Sequence, residues 1–273
     1  SWIDGIGETG LDGHDLRELG LKNGNLIVDD ERTGKHWTFR DISVSAERVH
    51  GGVELTVGSD NPERPWALKA AVTATGQGHR RVQLEARRVA VADLLLASRL
   101  DGGNLRIDMP LSASVSGEIG PDGLPQTLSG RIIADAGSIG DLDDGDGRIA
   151  IDRAEFKLSW NADSRTLTVP FQVLSAGNRI TLIGQVQAPE QTGGAWLFKI
   201  GGGTVVLAAA GATSEPLVLN RIAVSGRYDA AKQRFVVEEG DVGNAAVGVA
   251  MSGNLDFSGD GLHLAAGLAG TRM

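Results

Sequence analysis

The fold is decided by residues 147–186, which read GRIAIDRAEFKLSWNADSRTLTVPFQVLSAGNRITLIGQV. Apolar residues alternate with polar ones in three successive runs, at 156–160, 167–173 and 180–186. Because successive side chains of a strand point to opposite faces, each run predicts a β-strand with one apolar and one polar face. Polar clusters at 161–165 and 175–179 join the runs and are typical of turns. The stretch therefore predicts an antiparallel meander with one apolar side.

The same alternation extends over most of the chain. Glycine is abundant (39 residues), aromatic residues make up only 4%, and no collagen-like period is present, which favours many short strands and turns. The exception is VAVADLLLASRL at 89–100, where apolar residues share a helical face before the stop signal Asp101-Gly102-Gly103. We predict an all-β fold: a long antiparallel meander of repeated hairpins, curled into an open groove, with one short helix near 89–100. The expected segments are a first meander at 1–88, the helix and turn at 89–103, and a second meander at 104–273.

An internal repeat supports the meander. Seven positions of the central stretch recur 68 residues later (217 − 149 = 68), and the two predicted repeat units are 147–186 and 215–257. The first set is Ile149, Ile151, Arg153, Phe156, Trp160, Leu167 and Val169; the second is Leu217, Leu219, Arg221, Val224, Tyr228, Phe235 and Val237. A third, partial copy begins at Val115-Ser116-Gly117 and resembles Val224-Ser225-Gly226. Repeated units of this kind share one continuous apolar surface, because none can bury its own face alone.

Charge and composition exclude several classes of partner. The formal net charge is −9, whereas nucleic-acid binding and electrostatic adhesion to anionic membranes both require a basic surface. The chain has no cysteine, which excludes disulfides and thiolate chemistry. No apolar run approaches the ~18 residues needed to span a bilayer. We interpret the sequence as a slice of a longer protein.

The chemical motifs in the sequence are weak. Gly5-Ile6-Gly7-Glu8-Thr9-Gly10 fits the dinucleotide fingerprint GxGxxG, but it lacks the preceding strand and the βαβ context that this motif requires. The acidic run 141–147 resembles a calcium loop, but Gly145 and Asp146 occupy positions where an EF-hand needs an acid and a glycine. A solvated turn is the favoured interpretation there, although an irregular loop of this kind can still hold Ca²⁺ weakly.

Other reactive residues are equally isolated. Ser138 lies in AGSIG, which lacks the first glycine of a nucleophile elbow. The five histidines are scattered, and none has metal-ligand spacing. The arginines at 80, 81, 87 and 88 form one basic patch, either a solvated face or a contact to a neighbouring segment. We therefore expect no catalytic site, no cofactor and no metal, and the chain is predicted not to be an enzyme.

The repeated meander, the 89–100 segment and the closing residues 253–257 (GNLDF) and 268–271 (LAGT) resemble the AsmA-like superfamily, which includes AsmA, TamB and YhdP. The similarity lies in overall sequence pattern: Gly/Ala-rich amphipathic strands and recurring VSG and SGNL turns. It includes no catalytic motif. The resemblance implies a periplasmic segment of a Gram-negative envelope protein, anchored to the inner membrane by a helix outside this chain. It also implies an apolar groove that conducts phospholipid toward the outer membrane.

The residues expected to line this groove come from four alternating runs. They are Trp66, Leu68, Val72, Phe156, Leu158, Trp160, Leu167, Val169, Phe171, Ile180 and Leu182. The expected partners are phospholipid acyl chains, neighbouring segments of the same longer chain and other envelope proteins, with no nucleic acid. Acyl chains are non-directional apolar ligands, so a groove that holds them needs no specific polar chemistry.

Three alternatives remain open at this point. The same apolar residues could pack together in a closed β-sandwich, although sandwiches usually need Greek-key returns. The chain could instead be a structural or adhesive β-repeat module that binds a protein or glycan through its polar face. The third alternative is an enzyme that uses the N-terminal glycines.

Overall fold

The computed structural model describes residues 18–30, 35–59, 61, 65–90, 105–141, 148–191, 193–208, 215–256 and 263–271. Every regular element in this part of the chain is a β-strand, so the predicted all-β class is confirmed. The first nine strands are β1 (Glu18–Asp30), β2 (Lys35–Val49), β3 (Gly52–Ser59), β4 (Trp66–Gly76), β5 (His79–Ala90), β6 (Leu105–Asp108), β7 (Pro110–Ile119), β8 (Pro125–Ala134) and β9 (Gly137–Asp141). Ten more follow: β10 (Ile149–Ile151), β11 (Arg153–Asn161), β12 (Thr166–Ser175), β13 (Asn178–Gln187), β14 (Trp196–Leu207), β15 (Leu217–Leu219), β16 (Arg221–Asp229), β17 (Arg234–Gly243), β18 (Gly248–Asp256) and β19 (His263–Thr271). Within these ranges no helix is long and apolar enough to cross a membrane.

Sixteen of the described strands form one antiparallel sheet, and no pairing among the described residues joins its first strand, β1, to its last, β19. Its order is β1-β2-β3-β4-β5-β7-β8-β11-β12-β13-β14-β16-β17-β18-β19, with β15 paired to β14. Consecutive long strands are therefore mostly neighbours, which is the meander that the alternating pattern predicts. The remaining strands, β10, β9 and β6, form a separate three-stranded sheet.

The start of the predicted helix is wrong. Val89 is buried and Ala90 follows it as the last residue of β5, so both continue a strand. An apolar run such as VAVADLLL fits either a helix or a strand in isolation. Here β5, which has β4 and β7 as neighbours, continues through Ala90, beyond Arg87, its last residue paired with β4. Residues 91–100 lie outside the described residues.

The repeat at an offset of 68 is confirmed by the element boundaries. β10 at 149–151 corresponds to β15 at 217–219, β11 at 153–161 to β16 at 221–229, and β12 at 166–175 to β17 at 234–243. The third copy follows the same plan, since short β6 precedes long β7 as β15 precedes β16. The three predicted central strands are therefore present, and they belong to a repeated unit.

The hairpin turns match at the level of single hydrogen bonds. The backbone N–H of Ser164 donates to Oδ1 of Asn161 (2.8 Å), and the N–H of Lys232 donates to Oδ1 of Asp229 (3.2 Å), again 68 residues apart. Arg165 and Gln233, which close these two turns, both have positive φ (50° and 49°). The offset therefore reflects a repeated local structure.

The β12–β13 turn contains only two residues. Ala176 (φ 47°) and Gly177 (φ 82°) are both left-handed, as a type I′ hairpin requires. Ser175 and Asn178 pair directly across the turn. This short connection keeps the apolar residues of β12 and β13 in register.

The VSG and SGN segments are strand interiors, so their description as turns is wrong. Gly117, Gly226 and Gly253 lie within β7, β16 and β18. A Cβ atom at any of these positions would meet a backbone carbonyl oxygen of the neighbouring strand: that of Thr127, Val236 or Ala265, respectively. Glycine is required there because the two backbones approach each other closely.

A small hydrophobic core lies where short strands adjoin long ones. Met109, Ala134, Ile151 and Ala154 are buried together, and Ile107, Ile139, Phe156 and Val173 pack against them. Met109 lies between β6 and β7, Ala134 ends β8, and Ile151 ends β10. This apolar cluster, named the corner core below, joins the small sheet to one end of β11 and β12.

The chain divides into two compact units. Unit 1 comprises Ser1–Val89 and Ser112–Leu128, and unit 2 comprises Ala90–Leu111 and Ser129–Met273. The corner core and the strands β11 to β19 belong to unit 2. The three-segment division predicted from the sequence stays a prediction.

Candidate functional site: the apolar face of unit 2

The ladder of β11, β12 and β13 brings the central apolar residues onto one face. Phe156 pairs with Phe171, and Phe171 pairs with Leu182 on the next strand. With the alternation of side chains along each strand, this register places all eight predicted groove residues of unit 2 on the same side. They are Phe156, Leu158, Trp160, Leu167, Val169, Phe171, Ile180 and Leu182.

The same face continues across the following strands, which the groove prediction did not include. Val186 pairs with Phe198, and Trp196 pairs with Tyr228. The added members are Val173, Gly184, Val186, Trp196, Phe198, Ile200, Val224, Tyr228, Phe235, Val237, Met251 and Leu255. We call the whole set the apolar face. The repeat at 68 residues already marked four of these positions and could have extended the prediction.

Aromatic rings contact one another along this face. The ring centroids of Phe156 and Phe171 are 5.8 Å apart, those of Phe198 and Phe235 5.7 Å, and those of Tyr228 and Phe235 4.4 Å. The Phe156–Phe171 and Tyr228–Phe235 contacts join paired strands, and such cross-strand aromatic pairs stabilise a sheet by roughly 0.2–1 kcal/mol each, whereas Phe198 and Phe235 meet across β16, the strand between theirs. They hold the strands of unit 2 in their register.

The apolar face is only partly buried. Leu182 is 8% exposed, but the other predicted groove residues of unit 2 are half-buried, and Trp196 is 39% exposed. Inward-facing side chains of a closed sandwich interdigitate with a second sheet and lose nearly all contact with water. Among the described residues of unit 2, this face therefore differs from the packed interior that the sandwich alternative predicts.

Glycines shape the floor of the face in two ways. At Gly226 the space is filled, because the ring of Phe198 on the paired strand lies where a side chain would begin. At Gly184 the space is open, since a Cβ there would make only ordinary contacts of 3.6–3.9 Å with Val169 and Phe171. Gly184 pairs with Val169 on one side and Ile200 on the other. It thus leaves a shallow depression between two apolar side chains.

One end of the apolar face is closed by protein. Phe156 and Val173, near one end of β11 and β12, pack against the corner core. Two hydrogen bonds hold this corner: Ser175 Oγ donates to the Ala150 carbonyl oxygen (2.6 Å), and the Ala176 N–H donates to Asp152 Oδ2 (3.0 Å). At β11 and β12 the face therefore ends against the corner core.

Unit 1 carries the other three predicted groove residues on a face of its own. Trp66, Leu68 and Val72 alternate along β4, and all three are half-buried. Leu68 pairs with Val57 on β3 and with Ala86 on β5. The structure thus gathers Trp66, Leu68 and Val72 with each other inside unit 1, and the remaining eight with each other inside unit 2.

The opposite face of unit 2 is polar and carries ion pairs. Arg131 Nη2 lies 2.8 Å from Glu155 Oε2, and this hydrogen bond holds the pKa of Glu155 below its ordinary value, although exposure to water screens the effect. Further pairs join Arg227 to Glu238 (3.0 Å) and Arg234 to Asp256 (2.6 Å). Exposed pairs of this kind contribute little to stability.

A shallow depression of ≈ 390 Å³ lies on this polar face. Among its lining residues, Pro170 pairs with Ile183, whose side chain is 39% exposed. Gln172 and Thr181 pair beside them, with a hydrogen bond of 3.4 Å between their side chains. An apolar platform surrounded by amide and hydroxyl groups can contact a polar ligand, but it contains no catalytic constellation.

Where the structure describes them, the other candidate sites from the sequence have no catalytic or metal-binding arrangement around them. Ser138 lies within strand β9 and pairs with Ala150, whereas a nucleophile elbow is a strand-to-helix turn. His79 Nδ1 lies 3.2 Å from Glu118 Oε1, a contact between the side chains of two strands. The described residues contain no group of three or more His, Asp or Glu that could hold a metal ion. The GxGxxG segment and residues 142–147 lie outside the described residues.

Comparison with known proteins identifies no relative. No family model matches the chain, and neither does any curated protein or solved structure.

Proposed function

We propose that this chain is a non-enzymatic lipid-holding segment, and that the apolar face of unit 2 binds the acyl chains of a phospholipid. The observation that carries the proposal is a continuous apolar face whose side chains are half-buried although the sheet is folded. A sheet with one apolar side must cover it with another layer or with a ligand. Acyl chains are suitable because they match a surface without directional polar groups.

The dimensions of the face agree with an acyl chain. From Trp160 to Ala154 the strand β11 runs six residues, which corresponds to about 20 Å at 3.3 Å per residue. One leaflet of a bilayer occupies about half of a ~30 Å hydrocarbon core. A fatty acyl chain can therefore lie along the strands without leaving the apolar face.

The resemblance to the AsmA-like superfamily points in the same direction. It supports a location in the periplasm, attachment to the inner membrane by a segment outside this chain, and a role in outer-membrane biogenesis. Neighbouring segments of the same longer chain and other envelope proteins are the proposed protein partners. The chemistry of the face does not distinguish one phospholipid headgroup from another.

Native mass spectrometry tests the proposal directly. Protein purified from bacteria, and protein incubated with vesicles of palmitoyl-oleoyl phosphatidylcholine, should both carry phospholipid adducts. Leu182→Asp is a poor test variant, because Leu182 is the most buried of the predicted groove residues and a buried carboxylate would unfold the sheet. A blocking residue at Gly184 is preferable, since that position has room. Protein that carries no phospholipid, and takes up none, would refute the proposed function.

A second candidate function uses the polar face, as a structural or adhesive module that binds a protein or glycan. The observation that favours it is the depression around Pro170 and Ile183. Ile183→Lys would place a charge on this platform without disturbing the apolar face. If the polar face is the functional one, this variant should lose its partner while its phospholipid content stays unchanged.

A further inference from the structure

The tryptophans and the tyrosine of unit 2 are not spread evenly over the apolar face, whereas Phe156 and Phe171 lie within their strands. Both tryptophans of the unit and the only tyrosine of the chain lie at one edge of the sheet, at the end of β11, the start of β14 and the end of β16. Trp160 is the last residue but one of its strand, Trp196 is the first, and Tyr228 is the last but one. Phe198 and Phe235 lie beside them. We name Trp160, Trp196 and Tyr228 the aromatic rim.

The aromatic rim lies next to hydrogen-bonded polar turns. Asn161, next to Trp160, accepts hydrogen bonds from the N–H and hydroxyl of Ser164, and the amide of Gln187 donates to the Ser164 carbonyl oxygen (3.3 Å). Asp229, next to Tyr228, accepts from the N–H groups of Ala231 and Lys232. The rim therefore lies between a hydrogen-bonding edge and an apolar surface.

The opposite edge of the same face is purely aliphatic. Its members on successive strands are Ala154, Val173, Ile180, Val205, Ile222, Val242 and Val249. At β11 and β12 this edge runs into the corner core, where Ala154 is 5% exposed. The apolar face thus has an amphipathic end at the aromatic rim and a wholly aliphatic end on the opposite side.

We infer that this asymmetry fixes the orientation of a bound glycerophospholipid, with its glycerol and ester groups at the aromatic rim and its acyl chains toward the corner core. Tryptophan and tyrosine combine a large apolar ring with one polar group, so they favour boundaries between apolar and polar surroundings. The ester region of a phospholipid is such a boundary. Acyl chains have no polar group to satisfy at the aliphatic edge. The inference rests on the proposed function, because it assigns an orientation to the lipid proposed there.

Fluorescence quenching by spin-labelled lipid tests the orientation. Trp2, Trp37 and Trp66 are replaced by phenylalanine, and so is either Trp160 or Trp196, so that the other one is the only tryptophan of each variant. A third variant, Ile180→Trp on a background with no native tryptophan, reports on the aliphatic edge. Each protein is loaded from palmitoyl-oleoyl phosphatidylcholine vesicles that carry a nitroxide either on the headgroup or near the end of an acyl chain.

The expected result is opposite gradients at the two edges. Trp160 and Trp196 should be quenched about twofold or more better by the headgroup label than by the chain-end label, as expected for interfacial tryptophans. The single tryptophan of the Ile180→Trp variant should show the reverse. Val205→Trp serves as the aliphatic probe if Ile180→Trp fails to fold by circular dichroism. Phospholipid uptake by mass spectrometry is measured on each variant in parallel.

The outcomes separate the two proposals. Normal uptake with equal or reversed gradients would overturn the orientation and leave the proposed function standing. Absence of uptake in every folded variant and in the parent protein would overturn the proposed function, and the orientation with it.

Discussion

The ring of Phe198 lies directly over Gly226 of the neighbouring strand, where an added Cβ would come within 2.6 Å of the ring atom Cζ. The same Cβ would also meet the carbonyl oxygen of Val236. Phe198 in turn contacts Phe235 at 5.7 Å between ring centroids. An aromatic side chain that covers a strand glycine and then meets a second ring ties together three strands of unit 2.

This contact makes Gly226 intolerant of substitution. Gly226→Ala should lower the free energy of unfolding by about 1–3 kcal/mol, because the methyl group displaces both a ring and a backbone carbonyl. Gly184→Ala is the matched control, since its Cβ has only ordinary contacts and alanine costs less conformational entropy in a strand. The control should be neutral or more stable by about 0.5–1 kcal/mol. Urea denaturation of both variants measures the difference, and equal midpoints would contradict this account of Phe198 and Gly226.

Filling the floor of the apolar face should block lipid without harming the fold. Gly184→Leu places a side chain between Val169 and Ile200, where the neighbouring atoms leave room. The expected result is a clear loss of bound phospholipid with an unchanged circular dichroism spectrum and an undiminished denaturation midpoint. Gly267→Leu is the control, because Gly267 pairs with Ser252 on the polar side of β18 and also has room for a side chain. Equal lipid content in the two variants would show that the floor around Gly184 does not contact lipid.

The two-residue turn between β12 and β13 is not optimal. Ala176 is held at φ 47°, a left-handed conformation that costs an alanine roughly 1–2 kcal/mol but is tolerated by asparagine. Ala176→Asn should therefore stabilise the protein by about 1 kcal/mol. The backbone N–H of residue 176 can still donate to Asp152. Ala162→Asn, in the turn between β11 and β12, is the control, because Ala162 has no positive φ. Thermal denaturation compares the two, and a gain shared equally by both variants would argue against backbone strain at Ala176.

Much of this architecture follows from local sequence, and the central block shows why. Side-chain alternation at 156–160, 167–173 and 180–186 fixes which residues share a face, and turn residues fix where each strand ends. The offset of 68 residues then repeats both signals, so β15, β16 and β17 fall where the first copy predicts them. These features depend on neighbours in sequence and are therefore readable without a structure.

Features that depend on a partner strand were not readable in the same way. Gly226 and Gly253 fit a turn or a strand interior equally well by composition, and atoms of the adjacent strands exclude a side chain there. Val89 and Ala90 fit a helix or a strand by periodicity, and they continue β5, which lies between β4 and β7 in the sheet. The extension of the apolar face to Trp196 and Phe198 likewise required the register between β13 and β14. Side-chain periodicity shows which residues of one strand share a face, but the contacts and the register between strands require the structure.

The two equivalent turns of the repeat should respond differently to acid. Asp229 accepts hydrogen bonds from the N–H groups of Lys232 and Ala231, and the bond from the Lys232 backbone is the main cause that lowers the pKa of Asp229 below its ordinary value of 3.8. A carboxyl whose pKa is lower in the folded state contributes stability above its unfolded pKa, and this contribution is lost as the pH falls through the folded value. Asn161 holds the equivalent turn without a charge, through a 2.8 Å hydrogen bond from the Ser164 N–H.

Asp229→Asn therefore gives the β16–β17 turn the same uncharged asparagine that the β11–β12 turn has at Asn161. Compared with the parent, this variant should lose less stability between about pH 5 and pH 2, because one carboxyl with a lowered pKa has been removed. Asp163→Asn is the control: it removes an exposed carboxylate from the equivalent turn of the first copy, where Asn161 already accepts the hydrogen bond. The pH dependence of the urea midpoint measures both variants. If Asp229→Asn and Asp163→Asn retain the same acid sensitivity as the parent, the Asp229 carboxylate does not stabilise its turn.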